Sequence, residues 1–450
     1  MAFALEGEGL ATHLQLGHLG REALAEWMAG ASDAFIARVH QQTGGNPFFA
    51  LETLRALAEA GMLRLVNGRW VEGEVVASLP IPDTVRQAIG IHLGRLSAPA
   101  RSLITVAAVI GQVLNLDVLQ AVWSRDEEAT LEALDELLRR RLLREAAGPA
   151  AGDYEFDHHL IQEVVYAGVP PRRRRHLHRQ VALAMERLYA DQSDVAGEIA
   201  RHFYAADKPE EALRYFSLAA QEAGRLFAWE EAGQYLGRVL ELMDRLDPQN
   251  CSPEYRARRG QALADRAEIR YLQACIAERD ADLAALDALA GATDDVHLRL
   301  QALAHRVRYL NLDARYQQAI VVAEECLALA TSLPHNAPMG ELRARMLSQI
   351  GFAHYFLGQP RAALSALEAA LEVGSETAGP ETRGRIAHIL GYVHFHLGNY
   401  AQSLKCQREA HACHQEIGDY NRVAWDGLDI GALLPCIGAP TCNRSKPLWW

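Results

Sequence analysis

Apolar residues return along this chain mostly at three- and four-residue intervals, the spacing that puts them on one face of an α-helix. Leu19, Leu24 and Trp27 begin such a stripe, and Phe35, Ile36 and Val39 continue it behind a Ser32-Asp33 cap. Pro47 to Ala60 reads as a further helix closed by Gly61. Val85, Ile89, Leu93 and Leu96 share one face, Ala98 to Ile110 and Leu116 to Trp123 give two more helices, and Glu127 to Leu143 gives a long amphipathic one. Strand signals are sparse. Met62 to Val66 and Arg69 to Val71 flank Asn67-Gly68, a dipeptide suited to a type I′ hairpin turn, and Tyr154-Glu155-Phe156 follows a Gly/Ala turn at residues 146–152. The pattern predicts an all-α chain with one small hairpin and one wing.

From about Asp194 the pattern repeats. Ile350 to Gly358 recurs as Leu390 to Gly398, forty residues on, and the partner helices repeat too, with Leu364 and Ala370 matching Leu404 and Ala410. Leu312, Tyr316, Ala319 and Cys326 fit an earlier copy; Ala212, Phe216 and Ala219, then Ala232, Leu236 and Val239, mark more degenerate helices. Small residues where paired helices cross, and glycine at the turn, resemble the tetratricopeptide pattern, with a period above its usual length of about 34 residues. Hairpins of this kind bury their apolar faces only by stacking, which predicts an α-solenoid. The resemblance puts the first helix of each pair on the concave face, so Phe352, Tyr355, His388, Tyr392, Phe395 and His396 are expected along one groove. Aromatic side chains concentrate at binding anchors. A protein or peptide partner is the expected occupant, with a small-molecule inducer as the other; packing between repeats is the plainer use of about half of these residues.

A second motif lies near the start. In Thr43-Gly44-Gly45-Asn46-Pro47-Phe48-Phe49 the glycines end one helix by accepting positive φ, Asn46 caps the next, and Pro47 takes its first position. The corner is expected to turn its apolar pair inward and to leave amides open to an anion. Gly45-Asn46-Pro47, with Phe48-Phe49 and Glu52 behind it, resembles the GxP element of STAND-type signalling ATPases, the group of the large ATP-binding LuxR-type regulators. Helices followed by strand–turn–strand and helix form a winged-helix order. Phe156-Asp157-His158-His159-Leu160-Ile161-Gln162-Glu163, with Tyr166 and then Arg175-His176-Leu177-His178, resembles the close of that family's winged-helix domain. By this resemblance Gly45, Asn46 and Pro47 would contact the adenine side of a nucleotide and His158 its β-phosphate. A histidine that merely caps its helix or fills a polar core slot is the plainer reading of His158. The family's domain plan implies a helical lid over 1–78, a winged helix over 79–192, superhelical repeats over 193–432 and an irregular tail over 433–450.

Composition narrows the function. At 450 residues the chain holds about three domains at roughly 150 residues each. A net charge of −12 argues against direct nucleic-acid binding, and the run Arg172 to Arg175 reads as the solvated start of a helix. Seven scattered cysteines without CxxC spacing give no disulfide framework and fit a reducing cytoplasm. No signal peptide is visible, and the most apolar run, Ile104 to Trp123, is broken by Gln112, Asn115, Asp117 and Gln120, so no membrane partner is expected.

The three lysines, Lys208, Lys405 and Lys446, follow no glycine, so there is no P-loop; no catalytic residue and no metal site is expected. Cys406, His411, Cys413 and His414 lack the spacing of zinc modules. ATP or ADP enters only if a P-loop domain is supplied elsewhere, and the chain is expected to begin just after one and to end in an altered or truncated tail. The sequence therefore reads as the sensor half of a STAND-type regulator, a signalling scaffold, with self-association a further expected contact. A free-standing repeat adaptor and an ATPase whose engine lies outside this chain are the alternatives, and a winged helix acting directly on DNA is disfavoured by charge.

Overall fold

The computed structural model describes residues 18–59, 63–66, 69–72, 83–123, 126–146, 153–190, 192–334 and 336–434. Gly61, the Asn67-Gly68 turn, the 80–82 boundary and the tail beyond residue 434 lie outside them. The described residues form twenty-one helices and five short strands in two compact units, 1–222 and 223–450.

The first unit opens with α1 (Arg21–Trp27), α2 (Asp33–Thr43) and α3 (Pro47–Glu59). Ser32 Oγ accepts the Phe35 amide to start α2, and Gly44 at φ 58° ends it. Leu24, Met28, Ile36, Val39, Leu54 and Leu57 close a small core under these helices. The hairpin β1 (Leu63–Val66) and β2 (Arg69–Glu72) pairs Val66 with Arg69, the register a two-residue turn imposes.

Then come α4 (Asp83–Gly94), α5 (Ala98–Ile110), β3 (Val113–Leu114), α6 (Leu116–Trp123) and α7 (Glu127–Arg139). Side chains of Ser97, Asn115 and Asp126 cap α5, α6 and α7 in turn. The α7 helix stops earlier than its apolar pattern predicts. Arg141 adopts φ 55°, the Leu142 amide turns back to Leu137, and Leu143 starts a strand instead of extending the helix. A run of leucines serves a buried strand as well as a helix, so periodicity alone did not separate them.

That strand, β4 (Leu143–Glu145), pairs with β5 (Tyr154–Phe156), which also pairs with β3; the sheet is antiparallel with order β3-β5-β4. Helices α8 (His159–Gly168), α9 (Pro171–Leu188), α10 (Ala196–Ala205) and α11 (Pro209–Arg225) follow. The α5 helix is the centre of this part: Leu103, Ile104, Ala107 and Ala108 are at most 1% exposed, and α6, α7, α8 and α9 pack around it. Its apolar run is therefore core. No helix among the described residues is long and apolar enough to cross a membrane.

The second unit holds α12 (Trp229–Leu246), α13 (Pro253–Leu272), α14 (Ile276–Gly291), α15 (Val296–Leu312), α16 (Tyr316–Thr331), α17 (Ala337–Phe356), α18 (Pro360–Gly374), α19 (Pro380–His396), α20 (Tyr400–Glu416) and α21 (Tyr420–Leu433). Each helix packs on the next, and the first helices of successive pairs, α13, α15, α17 and α19, also pack side by side. This is a tetratricopeptide-like α-solenoid.

Its turns share one device. A residue in the left-handed region stands two positions before each second helix: Phe227, Ala274, Ala314, Gly358 and Gly398. The amide after it reaches back to close the preceding helix, Arg315 to Leu310, Gln359 to His354 and Asn399 to His394. At the crossings, Gly351 and Gly391 are places where a Cβ would stand 2.5 Å from Leu367 or Gln407, so only glycine lets these helices approach. The last described helix, α21, starts forty residues after α19, at the first-helix position of a further pair, and runs to Leu433.

Candidate functional site

The sequence singles out two sets of residues. The first lies at the Gly44–Pro47 corner. Gly44 and Gly45 have φ 58° and 72°, and Asn46 Oδ1 accepts the amides of Phe48 and Phe49. Two details depart from expectation. Phe49 turns inward at 8% exposed but Phe48 stands 47% exposed, because neighbours on a helix point about 100° apart. The first amides of α3, expected open to an anion, are already taken by Asn46.

His158 meets this corner. A Cβ on Gly44 would stand 2.9 Å from its Nδ1, and its ring lies 4.7 Å from that of His18 and edge-on to Phe49 at 5.4 Å. His158 sits at the N-cap position of α8 but its side chain makes no capping bond. It is buried, its Nδ1 has no hydrogen bond among the described residues, and Nε2 faces Asp157 at 3.5 Å. Burial holds its pKa below the ordinary imidazole range, helped by the nearby His18 and opposed by Asp157.

The structure thus brings Gly45, Asn46, Pro47 and His158 into one neighbourhood. Thr43 to Glu52 contains no lysine or arginine, and the amides are capped from within. Apart from the open Nδ1 of His158, these residues do not by themselves make a phosphate site. The arginine run opening α9 is mostly exposed; Arg174 lies over the Tyr166 ring at 4.3 Å and donates to the Val169 carbonyl.

The second set lies in the solenoid. Phe352, Tyr355, His388, Tyr392, Phe395 and His396 all line one cavity of about 300 Å³, between the first helices α17, α19 and α21. Tyr355 and Tyr392, from successive repeats, stack at 6.1 Å, and Phe356 stacks on Tyr316 at 5.3 Å. Tyr355 Oη and His396 Nε2 are 3.3 Å apart.

The cavity has a polar side that the sequence reading missed. Tyr392 donates to Asp429 at 2.9 Å. Asp426, fully buried, receives His388 Nδ1–H at 2.9 Å and His414 Nδ1–H at 2.6 Å. Burial pushes the Asp426 carboxyl up, but the two imidazole hydrogen bonds outweigh it and hold it below the ordinary range. Burial raises Asp429 instead, against the Tyr392 hydrogen bond. An ionised Asp426 only accepts, so both imidazoles must offer Nδ1–H to it. His388, itself lining the cavity, is thereby fixed with Nε2 as its remaining polar atom.

The available sequence signal was the pair Asp426 and Asp429, one helical turn apart on a helix that also carries Leu433. Among the described residues no three His, Cys, Asp or Glu side chains are placed to hold a metal ion. Burial raises the thiol pKa of Cys406 and Cys413, which leaves them poor ligands and poor nucleophiles.

No family model matches the chain. An uncharacterized protein of Rhizobium meliloti (strain 1021) is 30% identical over 181 residues, a match covering 37% of this chain and 18% of the relative, so the matched part is under a fifth of that protein's length. Among solved structures, a Signal Transduction ATPase with Numerous Domains (STAND) protein with a tetratricopeptide repeat sensor from Pyrococcus horikoshii aligns over 94% of this chain and 64% of its own, at 11% identity and TM-score 0.36. Aspartyl phosphate phosphatase F from Bacillus subtilis aligns over 83% and 99% at 12% identity and TM-score 0.38. Yeast Tom70 aligns over 89% and 82% at 11% identity and TM-score 0.32. At such scores the repeat architecture rests on the chain's own helix packing.

Proposed function

We propose that this chain is a binding scaffold whose repeat half receives a protein segment or a small-molecule inducer in the aromatic cavity. The observation that carries this is the convergence of Phe352, Tyr355, His388, Tyr392, Phe395 and His396 on one space. The cavity offers ring faces and edges, with the Tyr392–Asp429 and His388–Asp426 pairs as fixed polar points, so it suits an occupant with an apolar or aromatic group and one or two hydrogen-bonding atoms.

Two observations favour a wider reading, the sensor half of a STAND-type regulator. The glycine corner and His158, distant in sequence, meet; and His158 keeps an open Nδ1 there. In this reading nucleotide contact needs a P-loop domain from elsewhere, and the chain performs no catalysis of its own. The adaptor reading needs no nucleotide.

Affinity capture with the chain as bait, repeated with Tyr355→Ala/Phe395→Ala, tests the main proposal. It expects a partner or inducer retained by the parent and lost from a variant of unchanged melting temperature; equal retention by both contradicts it. Binding to immobilised ATP, measured with a STAND-type P-loop domain added to the chain, separates the wider reading from the adaptor, since a gain in binding that disappears with Pro47→Ala and His158→Ala is expected only where this chain contacts the nucleotide.

A further inference from the structure

A second, smaller cavity in the solenoid shares no lining residue with the aromatic one. It measures about 160 Å³ and lies between α15, α17, α19 and α21, walled by His305, Arg308, Arg345, Glu341, Glu381, Arg385 and Arg422 among others. Four guanidinium groups therefore face two carboxylates. Arg345 and Arg385 stand forty residues apart at the same repeat position, as do Glu341 and Glu381.

The charges are unevenly committed. Arg308 is held by Glu268 at 2.7 Å and Arg422 by Asp419 at 3.2 Å. Glu341 is occupied too, accepting the Gly379 amide and the Thr382 hydroxyl. Arg345 and Arg385 make no ion pair with any described residue. Arg385 carries the consequence: burial first, then Arg422, Arg308 and Arg345, lower its pKa to about 10, with Glu381 opposing. Burial together with Arg345 and Arg308 lowers His305 to about 4, so the imidazole is neutral at neutral pH and can donate or accept. Arginines crowded at the edge of a cavity repel one another unless an anion sits among them, and the planar fork of each suits a two-oxygen acceptor.

We propose that this cavity binds a small anion bearing a phosphoryl or carboxylate group, held between Arg345 and Arg385 with Arg308 and Arg422 at the flanks. Its size admits a head group of a few heavy atoms. The proposal stands whether or not the aromatic cavity has an occupant.

Titration calorimetry on the full chain, with inorganic phosphate and with succinate, each against sodium chloride of equal ionic strength, tests it. One saturable site is expected for at least one of the two, and which one identifies the acceptor group. Arg385→Gln should weaken that binding about tenfold or more, as loss of a charge-assisted hydrogen bond implies. The same variant should melt at or above the parent temperature without added anion, because it removes a cation from among cations.

Arg345→Gln, on a different helix, should weaken binding likewise and guards against a change confined to α19. No saturable heat with either anion, undiminished binding in both variants, or a lower melting temperature for both without anion would each overturn the proposal; the last would make the arginines structural.

Discussion

At the scale of single residues, buried histidines are the most consequential feature. Tyr166 Oη, His178 and His202 form a chain in the first unit, with His178 Nε2 2.9 Å from the tyrosine oxygen and the two Nδ1 atoms 2.9 Å apart. Two neutral imidazoles can share that contact, one donating and one accepting, whereas two imidazolium ions cannot. Burial, with Arg174, takes His178 to about 4, and burial, with His178 and Arg201, takes His202 to about 3. In the unfolded chain both titrate near 6.5. Between those values the unfolded state binds more protons, so the stability these residues allow is present above pH 6.5 and falls as the pH drops toward 4.

By pH 5 the loss should be on the order of 2 kcal/mol per imidazole. Melting temperature against pH should decline across this window, and His178→Gln/His202→Gln should flatten the decline; an unchanged slope would contradict the assignment. In the second unit, Asp426→Asn removes the charge that orients His388 and His414. It should cost roughly 1–3 kcal/mol, the penalty of leaving buried polar atoms badly matched, read as a lower denaturation midpoint.

At the scale of elements, the repeat turns carry strain where glycine is missing. Ala314 is exposed, at φ 57°, in the same turn position as Gly358 and Gly398. An alanine there is disfavoured by about 1–2 kcal/mol, offset in part by the extra freedom of glycine in the unfolded chain. Ala314→Gly should therefore stabilise by roughly 0.5–1 kcal/mol, and Gly358→Ala should destabilise by a similar amount. Circular dichroism melts of the pair would show it, and shifts of the same sign would refute it. Gly351→Ala places a methyl against Leu367 in the α17–α18 crossing and should cost about 1–3 kcal/mol through overpacking.

At the scale of the whole molecule, legibility followed how closely each stretch keeps the local rules. The starts of α2 and α3 were readable because Ser32 and Asn46 supply caps whose capping atom is in the sequence. The last two complete repeats were readable because Gly358 and Gly398 mark their turns. Earlier turns place Phe227, Ala274 and Ala314 in the same backbone conformation, and tertiary packing holds what local preference resists, so those copies looked degenerate. Six cavity residues could be chosen from repeat position and aromatic character. Asp426, Asp429 and His414 could not, because their roles come from α21 docking beside α19 and α20, a contact no local pattern encodes.

On the function proposed above, the aromatic cavity between α17, α19 and α21 is where a partner or inducer is received. Hydrogen exchange of the full chain, with and without the captured partner or inducer, tests it most directly. Slowed exchange is expected mainly at 352–356, 388–396 and 426–433; slowing elsewhere with these segments unchanged would refute contact at this cavity.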